Sequence, residues 1–176
     1  MKYLSALIVA SLILPSSELN AETFKNTNDN QNGKTFGQLM SWVLDGEKSP
    51  ERISIDTSDE WKTLDAQDDP YAIWIGHATY LINNGDINIL TDPIFSKRAS
   101  PLGFAGPKRM ILPAMSLEDL PTIDVVVVSH NHYDHFDIYS LKRLHKLNPE
   151  TVFLVPIGDK KRLKNRGLTH VHELRW

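Results

Sequence analysis

Residues 124–137 read DVVVVSHNHYDHFD. Four consecutive valines bounded by Asp124 and Ser129 have the pattern of a strand buried on both faces, as in a sheet covered by helices. Directly after them come His130, His132, Asp134 and His135, three imidazoles and a carboxylate within six positions. A rigid strand projects alternate side chains to opposite faces, so it would part these residues. A turn just past the strand's carboxyl end can gather all four around one small volume. His130 and His132, two apart, can then grip one metal ion, and the adjacent Asp134 and His135 can reach a second. Two ions about 3.5 to 4 Å apart can share a hydroxide, lower its pKa and aim it at an electrophilic carbon or phosphorus. The pattern therefore points to metal-assisted hydrolysis.

Working outward, Ile138, Leu141 and Leu144 fall on one face of a helix, and Lys142, Arg143, His145 and Lys146 in its later turns suit the helix dipole. Asn148-Pro149 ends it. TVFLVP then reads as a buried strand, DKKRLKNRG as a short helix stopped by Gly167, and THVHEL as a last strand. Upstream, Tyr71–Ile75, Thr79–Ile82 and Ile87–Thr91 are dense in β-branched and aromatic residues. Asn83-Asn84-Gly85-Asp86 joins the last two as a hairpin, which predicts an antiparallel meander. Between the meander and the valines lies a stretch with Pro93, Pro101, Gly103, Gly106, Pro107 and Pro113. It is too rich in Gly and Pro for regular structure, and so long a loop tends to be functional.

Ahead of the meander, FGQLMSWVLDG sets Phe36, Leu39, Met40 and Val43 at helical spacing, with Gly46 as a stop. Residues Glu47–Asp69 read as loop with at most one short element. The polar, Asn-rich residues 22–34 read as a flexible leader. At the start, MKYLSALIVASLILPSSELNA has a cation, about a dozen apolar residues, a helix breaker and small residues up to Ala21, the layout of a secretory signal. An apolar run this short falls below the roughly 20 residues of a spanning helix. The expectation is a signal peptide over 1–21, a polar leader with a short helix over 22–69 and a catalytic-type domain over 70–176. Export, to a periplasm, follows; an uncleaved membrane anchor is the alternative.

Composition narrows the chemistry. With 41% hydrophobic and 23% charged residues the chain is globular. A net charge of −3 provides no field for gathering nucleic acid, so no nucleic-acid partner is expected. The absence of cysteine excludes disulfides, thiolate metal sites and a cysteine nucleophile. A transition metal must be held by His and carboxylate.

H-x-H-x-D-H after a buried strand resembles the metallo-β-lactamase fold. With WIGHATYLIN (74–83), ILTDPIFSKRASPLGFAGPKR (89–109) and LPTIDVVVVSHNHYDHFD (120–137), the chain looks like the branch that includes the N-acylphosphatidylethanolamine-hydrolysing phospholipase D enzymes. The resemblance covers Tyr71 to Trp176. It implies an α/β fold of αββα sandwich type, two zinc ions, and hydrolysis of a phosphodiester in an N-acyl phospholipid or related small molecule, with transient membrane-surface contact. By motif match, His130 and His132 would ligate one zinc and Asp134 and His135 the other, with Asp134 also moving protons. Asp92 would orient a ligand histidine from beneath; its other reading is a turn-forming Asp-Pro cap. His77, in a turn between two strands, either faces the metals or is an ordinary turn histidine. Lys97, Arg98, Lys108 and Arg109 could meet a phosphate while Phe95, Leu102, Phe104 and Met110 meet acyl chains, or the loop is simply solvated. His145 is expected to be solvated, and His170 and His172 structural.

That fold is a pseudo-duplicate whose remaining ligands come from its second half. The 176 residues are therefore expected to be the amino-terminal part of a longer protein, with only the first half of the sandwich present and one sheet face uncovered. Two alternatives stand: a catalytically incomplete metal-binding fragment, and a hydrolase of the same fold acting on a lactone or β-lactam.

Overall fold

The computed structural model describes residues 55–64, 70–101, 103–104 and 106–175, together with Gly37 and Ser41. The expected signal peptide over 1–21 and the Asn-rich stretch over 22–34 lie outside the described residues. Of the helix expected around FGQLMSWVLDG, only Gly37 and Ser41 are described, and both are helical. The chain divides into a unit over Met1–Glu51 and a unit over Arg52–Trp176, and the second holds the fold. Among the described residues, no helix is long and apolar enough to cross a membrane.

Six strands form one mixed sheet in simple sequence order: β1 (Tyr71–Gly76), β2 (Thr79–Asn83), β3 (Asn88–Thr91), β4 (Val125–Val127), β5 (Val152–Pro156) and β6 (Val171–Leu174). The first three pair antiparallel, as the hairpin signal predicts. Asn84 secures that turn by accepting the amides of Asp86 and Ile87 on its side-chain oxygen. From β3 onward pairing is parallel, with α1 (Ile138–Leu147) joining β4 to β5 and α2 (Lys160–Lys164) joining β5 to β6. The expected order of meander, strand, helix, strand, helix, strand is the observed one.

One cross-strand row holds the sheet to its helices. Ile73, Leu81, Leu90, Val126, Phe153 and Val171 are successive partners across all six strands. All but Ile73 are buried, and Leu141 and Leu144 of α1 with Leu163 of α2 complete the same core. Each such side chain stabilises the fold by about 1.5–3 kcal/mol through burial. Asp137 starts α1 by accepting the Tyr139 amide. That cap fixes where the histidine loop ends and the helix begins.

The valine run differs from its expectation. Only Val125–Val127 are strand, and while Val126 is fully buried, Val125 and Val127 are half-buried. The reason is that the core lies on the face bearing Val126, and among the described residues no second layer covers the opposite face. The Gly- and Pro-rich connection also departs slightly from a plain loop. It spans residues 92–124 and contains an isolated bridge between Arg98 and Lys108 and a 3-10 turn, Leu117–Asp119, capped by Ser116.

This topology gathers one end of the sheet. Asp92 follows β3, residues 129–135 follow β4, and Asp159 follows β5, all at the carboxyl ends of parallel strands where open α/β sheets bind ligands. Because β2 runs antiparallel to β3, the β1–β2 turn with His77 arrives at the same end. Thr79 ties the two by donating its hydroxyl to the Asp92 carbonyl at 2.7 Å and accepting the Ile94 amide.

Candidate metal centre

The turn after β4 is tight: the amides of His135 and Phe136 both donate to the His132 carbonyl, at 3.0 and 2.7 Å. Phe136 is buried and anchors it. The imidazoles of His130, His132 and His135 consequently face one another, with ring centroids 4.7 Å apart for the first pair and 4.0 Å for His130 and His135. Asp134 Oδ2 lies 3.5 Å from His135 Nε2. All four motif residues are brought together.

Asp92 sits beneath them. The parallel register of Thr91 with Val127 sets Asp92 beside Ser129. Its Oδ1 accepts the Ser129 amide at 2.7 Å, and its Oδ2 accepts the Ser129 hydroxyl at 2.8 Å and His135 Nδ1 at 2.9 Å. A carboxylate only accepts, so these bonds assign protons. His135 must carry a proton on Nδ1. Ser129, having given its single proton to Asp92, must accept from His130 Nδ1, 2.9 Å away. In both imidazoles it is then Nε2 that would be offered to a metal ion, the tautomer being set by the bond on the other nitrogen. Burial, with the neighbouring His135 and His132, holds the His130 imidazole below its ordinary pKa.

Exposure is graded. The side chain of Asp92 is 9% exposed, that of His135 16% and that of Asp134 40%. The carboxylate beneath the histidines is thus buried, and that of Asp134 reaches solvent. This donor set, three clustered imidazoles beside a carboxylate that reaches solvent, fits a divalent transition metal.

His77 lies here too, its Nε2 3.2 Å from Asp134 Oδ2 and its ring 5.1 Å from that of His135. Above the centre opens a cleft of about 600 Å³, whose lining includes Trp74, His77, Arg109, Met110, His132 and Asp134. Of the loop cations, Lys108 and Arg109 line it. Of the loop's apolar residues, Met110 joins them and Phe104 is exposed, but Phe95 packs against the core. Leu102 lies outside the described residues.

Arg109 has a second use. Its Nε donates to the Ser96 carbonyl at 3.3 Å and its Nη2 to the Ile94 carbonyl. Burial lowers its pKa, opposed by the charge of Asp137. The guanidinium therefore braces the loop wall as well as facing the cleft. Arg109→Met is expected to lower unfolding free energy by about 1–3 kcal/mol, the cost of orphaning half-buried carbonyls. Urea denaturation checks this, and an unchanged midpoint would leave Arg109 with only its place in the lining.

Elsewhere, His145 is not solvated as expected. Its ring packs against Phe153, with centroids 6.2 Å apart, because α1 lies on the core face of β5. His170 and His172 are exposed away from the cleft lining; His170 Nε2 stands 3.8 Å from Glu150. Sequence reasoning missed Ser129, the relay between Asp92 and His130. It also missed Asn131, which lines the cleft and donates to the buried Asp159 at 3.3 Å. Their one signal was position inside the motif run.

A sheet with this order and a histidine loop after its central strand define the class. A family model described as "Beta-lactamase superfamily domain" matches residues 87–176, just over half of the chain, and the chain belongs to that family. Among curated proteins, the chain is 48% identical over 111 residues to "N-acyl-phosphatidylethanolamine-hydrolyzing phospholipase D 1" of Caenorhabditis elegans, covering 60% of this chain and 31% of that protein. It is 37% identical over 108 residues to "N-acyl-phosphatidylethanolamine-hydrolyzing phospholipase D, mitochondrial" of Saccharomyces cerevisiae, covering 60% and 22%. A solved structure, "a possible metal-dependent hydrolase" from Veillonella parvula, is 24% identical with a TM-score of 0.48, over 61% of this chain and 44% of that one. The resemblance seen in the motifs holds. The chain spans about a third or less of the length of these two curated relatives.

Proposed function

We propose that this chain carries the metal-binding part of a zinc-dependent phosphodiesterase that cleaves N-acyl phospholipids or related molecules. The observation that carries it is the pair of assigned tautomers, which leaves Nε2 of His130 and His135 free beside Asp134 at the floor of a cleft. The bond class is supported by the relatives, whose names specify phospholipid hydrolysis, and by a lining that sets cations beside apolar side chains. The amino-terminal signal pattern supports export to the periplasm.

In this reading His130 and His132 hold one cation and Asp134 and His135 a second. Bound there, divalent cations supply Lewis-acid polarisation of a phosphoryl oxygen and bring the pKa of water toward neutrality. Asp92 and Ser129 keep the imidazoles aimed, so no reorganisation is needed during reaction. Asp134, whose side chain reaches solvent, exchanges protons with the cleft. Lys108 offers its ammonium to a phosphate, and Trp74 and Met110 form apolar walls that exclude water.

The test compares a chromogenic phosphodiester, a lactone and a chromogenic β-lactam on the zinc-loaded full-length gene product. The phosphodiester is expected to be turned over about tenfold or more faster in kcat/KM, a difference of about 1.4 kcal/mol in the barrier. The opposite preference would move the enzyme to the lactone or β-lactam class.

A further inference from the structure

Asn131 stands between the first two histidines of the motif and lines the cleft beside His132 and Asp134, yet the metal centre as described makes no use of it. Its side chain is held from the far side of the loop. Nδ2 donates to Oδ1 of Asp159 at 3.3 Å, and Nη1 of Arg162 donates to the same oxygen at 3.0 Å. A carboxylate only accepts, so the end of the Asn131 amide turned to Asp159 is its NH₂. The amide oxygen is the end left over, and it has no partner among the described residues.

Asp159 is 2% exposed, and its Oδ2 has no hydrogen-bond partner among the described residues. Burying a carboxylate with one oxygen unpaired lowers stability, so its place needs a reason. The turn that carries it is clamped: Glu173 of β6 accepts the amides of Gly158 and Lys160, both at 2.9 Å. Arg162, its ionic partner, lies over the ring of Phe136 at 5.0 Å from the centroid, and Phe136 anchors the histidine loop. Asp159 thus ties a fixed turn to that loop, and the group it orients there is the exposed Asn131 amide.

We propose that Asn131, oriented by Asp159, accepts the amide N–H of an N-acyl headgroup and so distinguishes an N-acylated phospholipid from other phosphodiesters. This rests on the reading of the chain as part of an N-acyl phospholipid hydrolase. The covalent spacing supports it. One oxygen and two carbons separate phosphorus from the amide nitrogen in an N-acylethanolamine headgroup, so the two atoms lie at most about 5 Å apart. A headgroup whose phosphorus sits at the motif histidines therefore carries its amide to their immediate neighbours in the loop. Tyr133 is another such neighbour in the cleft lining, but a hydroxyl both donates and accepts, and it suits an ester oxygen as well as an amide N–H. An oxygen fixed by Asp159 only accepts, and it selects the N–H.

The experiment measures phosphatidic acid released by the zinc-loaded full-length gene product from two phosphodiesters: an N-acylphosphatidylethanolamine, and its isostere with an ester oxygen in place of the amide N–H. The readout is the ratio of kcat/KM for the two within each protein, so losses of metal or of folded protein cancel. The parent is expected to favour the amide about tenfold, the discrimination that one neutral hydrogen bond supplies. Asn131 is exposed, so Asn131→Ala should fold, and it is expected to bring the ratio to within about threefold of one. Asp159→Leu, which frees the Asn131 amide to turn, is expected to lower the ratio as well. Asp159→Asn, whose side-chain oxygen can stand where Oδ1 stood, is expected to keep it. A parent ratio retained in Asn131→Ala overturns the assignment, and one retained in Asp159→Leu overturns the positioning role of Asp159. A parent that cleaves both substrates alike overturns the inference and leaves the phosphodiesterase reading standing, whereas a parent that cleaves neither overturns both.

Discussion

Replacing His130 and His132 together with Ala is expected to strip the first metal position and reduce hydrolysis by about 10³-fold, the loss of about 4 kcal/mol of transition-state stabilisation. The size follows from how these residues are held. The Nδ1 proton of His130 is committed to Ser129, which leaves Nε2 as the one atom it could offer an ion. His132 ties its carbonyl to the amides of His135 and Phe136, and those backbone bonds survive truncation to Ala. The loop should therefore keep its shape while losing its donors. Metal content by mass spectrometry, read beside thermal melting, separates the outcomes. Lost metal with a retained fold supports the assignment; metal retained at the parent level would place the ion elsewhere.

The motif was legible because its chemistry is local. Six consecutive positions contain the candidate ligands, and a strand end is enough to cluster them. The strands were legible too, since TYLIN and TVFLVP are dense in β-branched and aromatic residues, whereas the alternation of buried and half-buried positions along TVFLVP shows only in the folded sheet. What could not be read depends on distant pairing. Ser129 looks like any residue at a strand end until the register of β3 with β4 sets Asp92 beside it. His77 looks like a turn histidine until the bulge at Gly76 and the Trp74 indole fix its direction. Four valines in a row suggested burial on both faces, whereas the pseudo-duplicated fold suggested one uncovered face; here Val125 and Val127 are half-buried and the helices take one side. Arg109 read as a cation for substrate, and only the folded loop shows that its donors also serve the Ile94 and Ser96 carbonyls.

Asp92→Asn is expected to weaken metal binding by about 100-fold, the upper end of what an outer-shell residue controls, while changing stability by about 1 kcal/mol or less, as for a retained neutral hydrogen bond. Asn tolerates the left-handed torsion of this position, and its carbonyl can still accept the Ser129 amide. The oxygen that becomes nitrogen is the one facing His135 and the Ser129 hydroxyl. An amide NH₂ donates where the carboxylate accepted, so His135 must present a bare Nδ1 and carry its proton on Nε2. Ser129, now accepting from the introduced amide, turns its own proton toward His130 and moves that imidazole to the Nε2–H tautomer as well. One atom exchanged beneath the centre thus reverses a chain of three hydrogen bonds and blocks two ligand lone pairs above it. Nitrogen-15 chemical shifts of the imidazoles report the tautomers directly, and a chelator competition reports the affinity. If the shifts remain those of Nδ1–H imidazoles and the metal stays bound, Asp92 only shapes the turn before Pro93, and orientation of the ligands must come from packing of the loop itself.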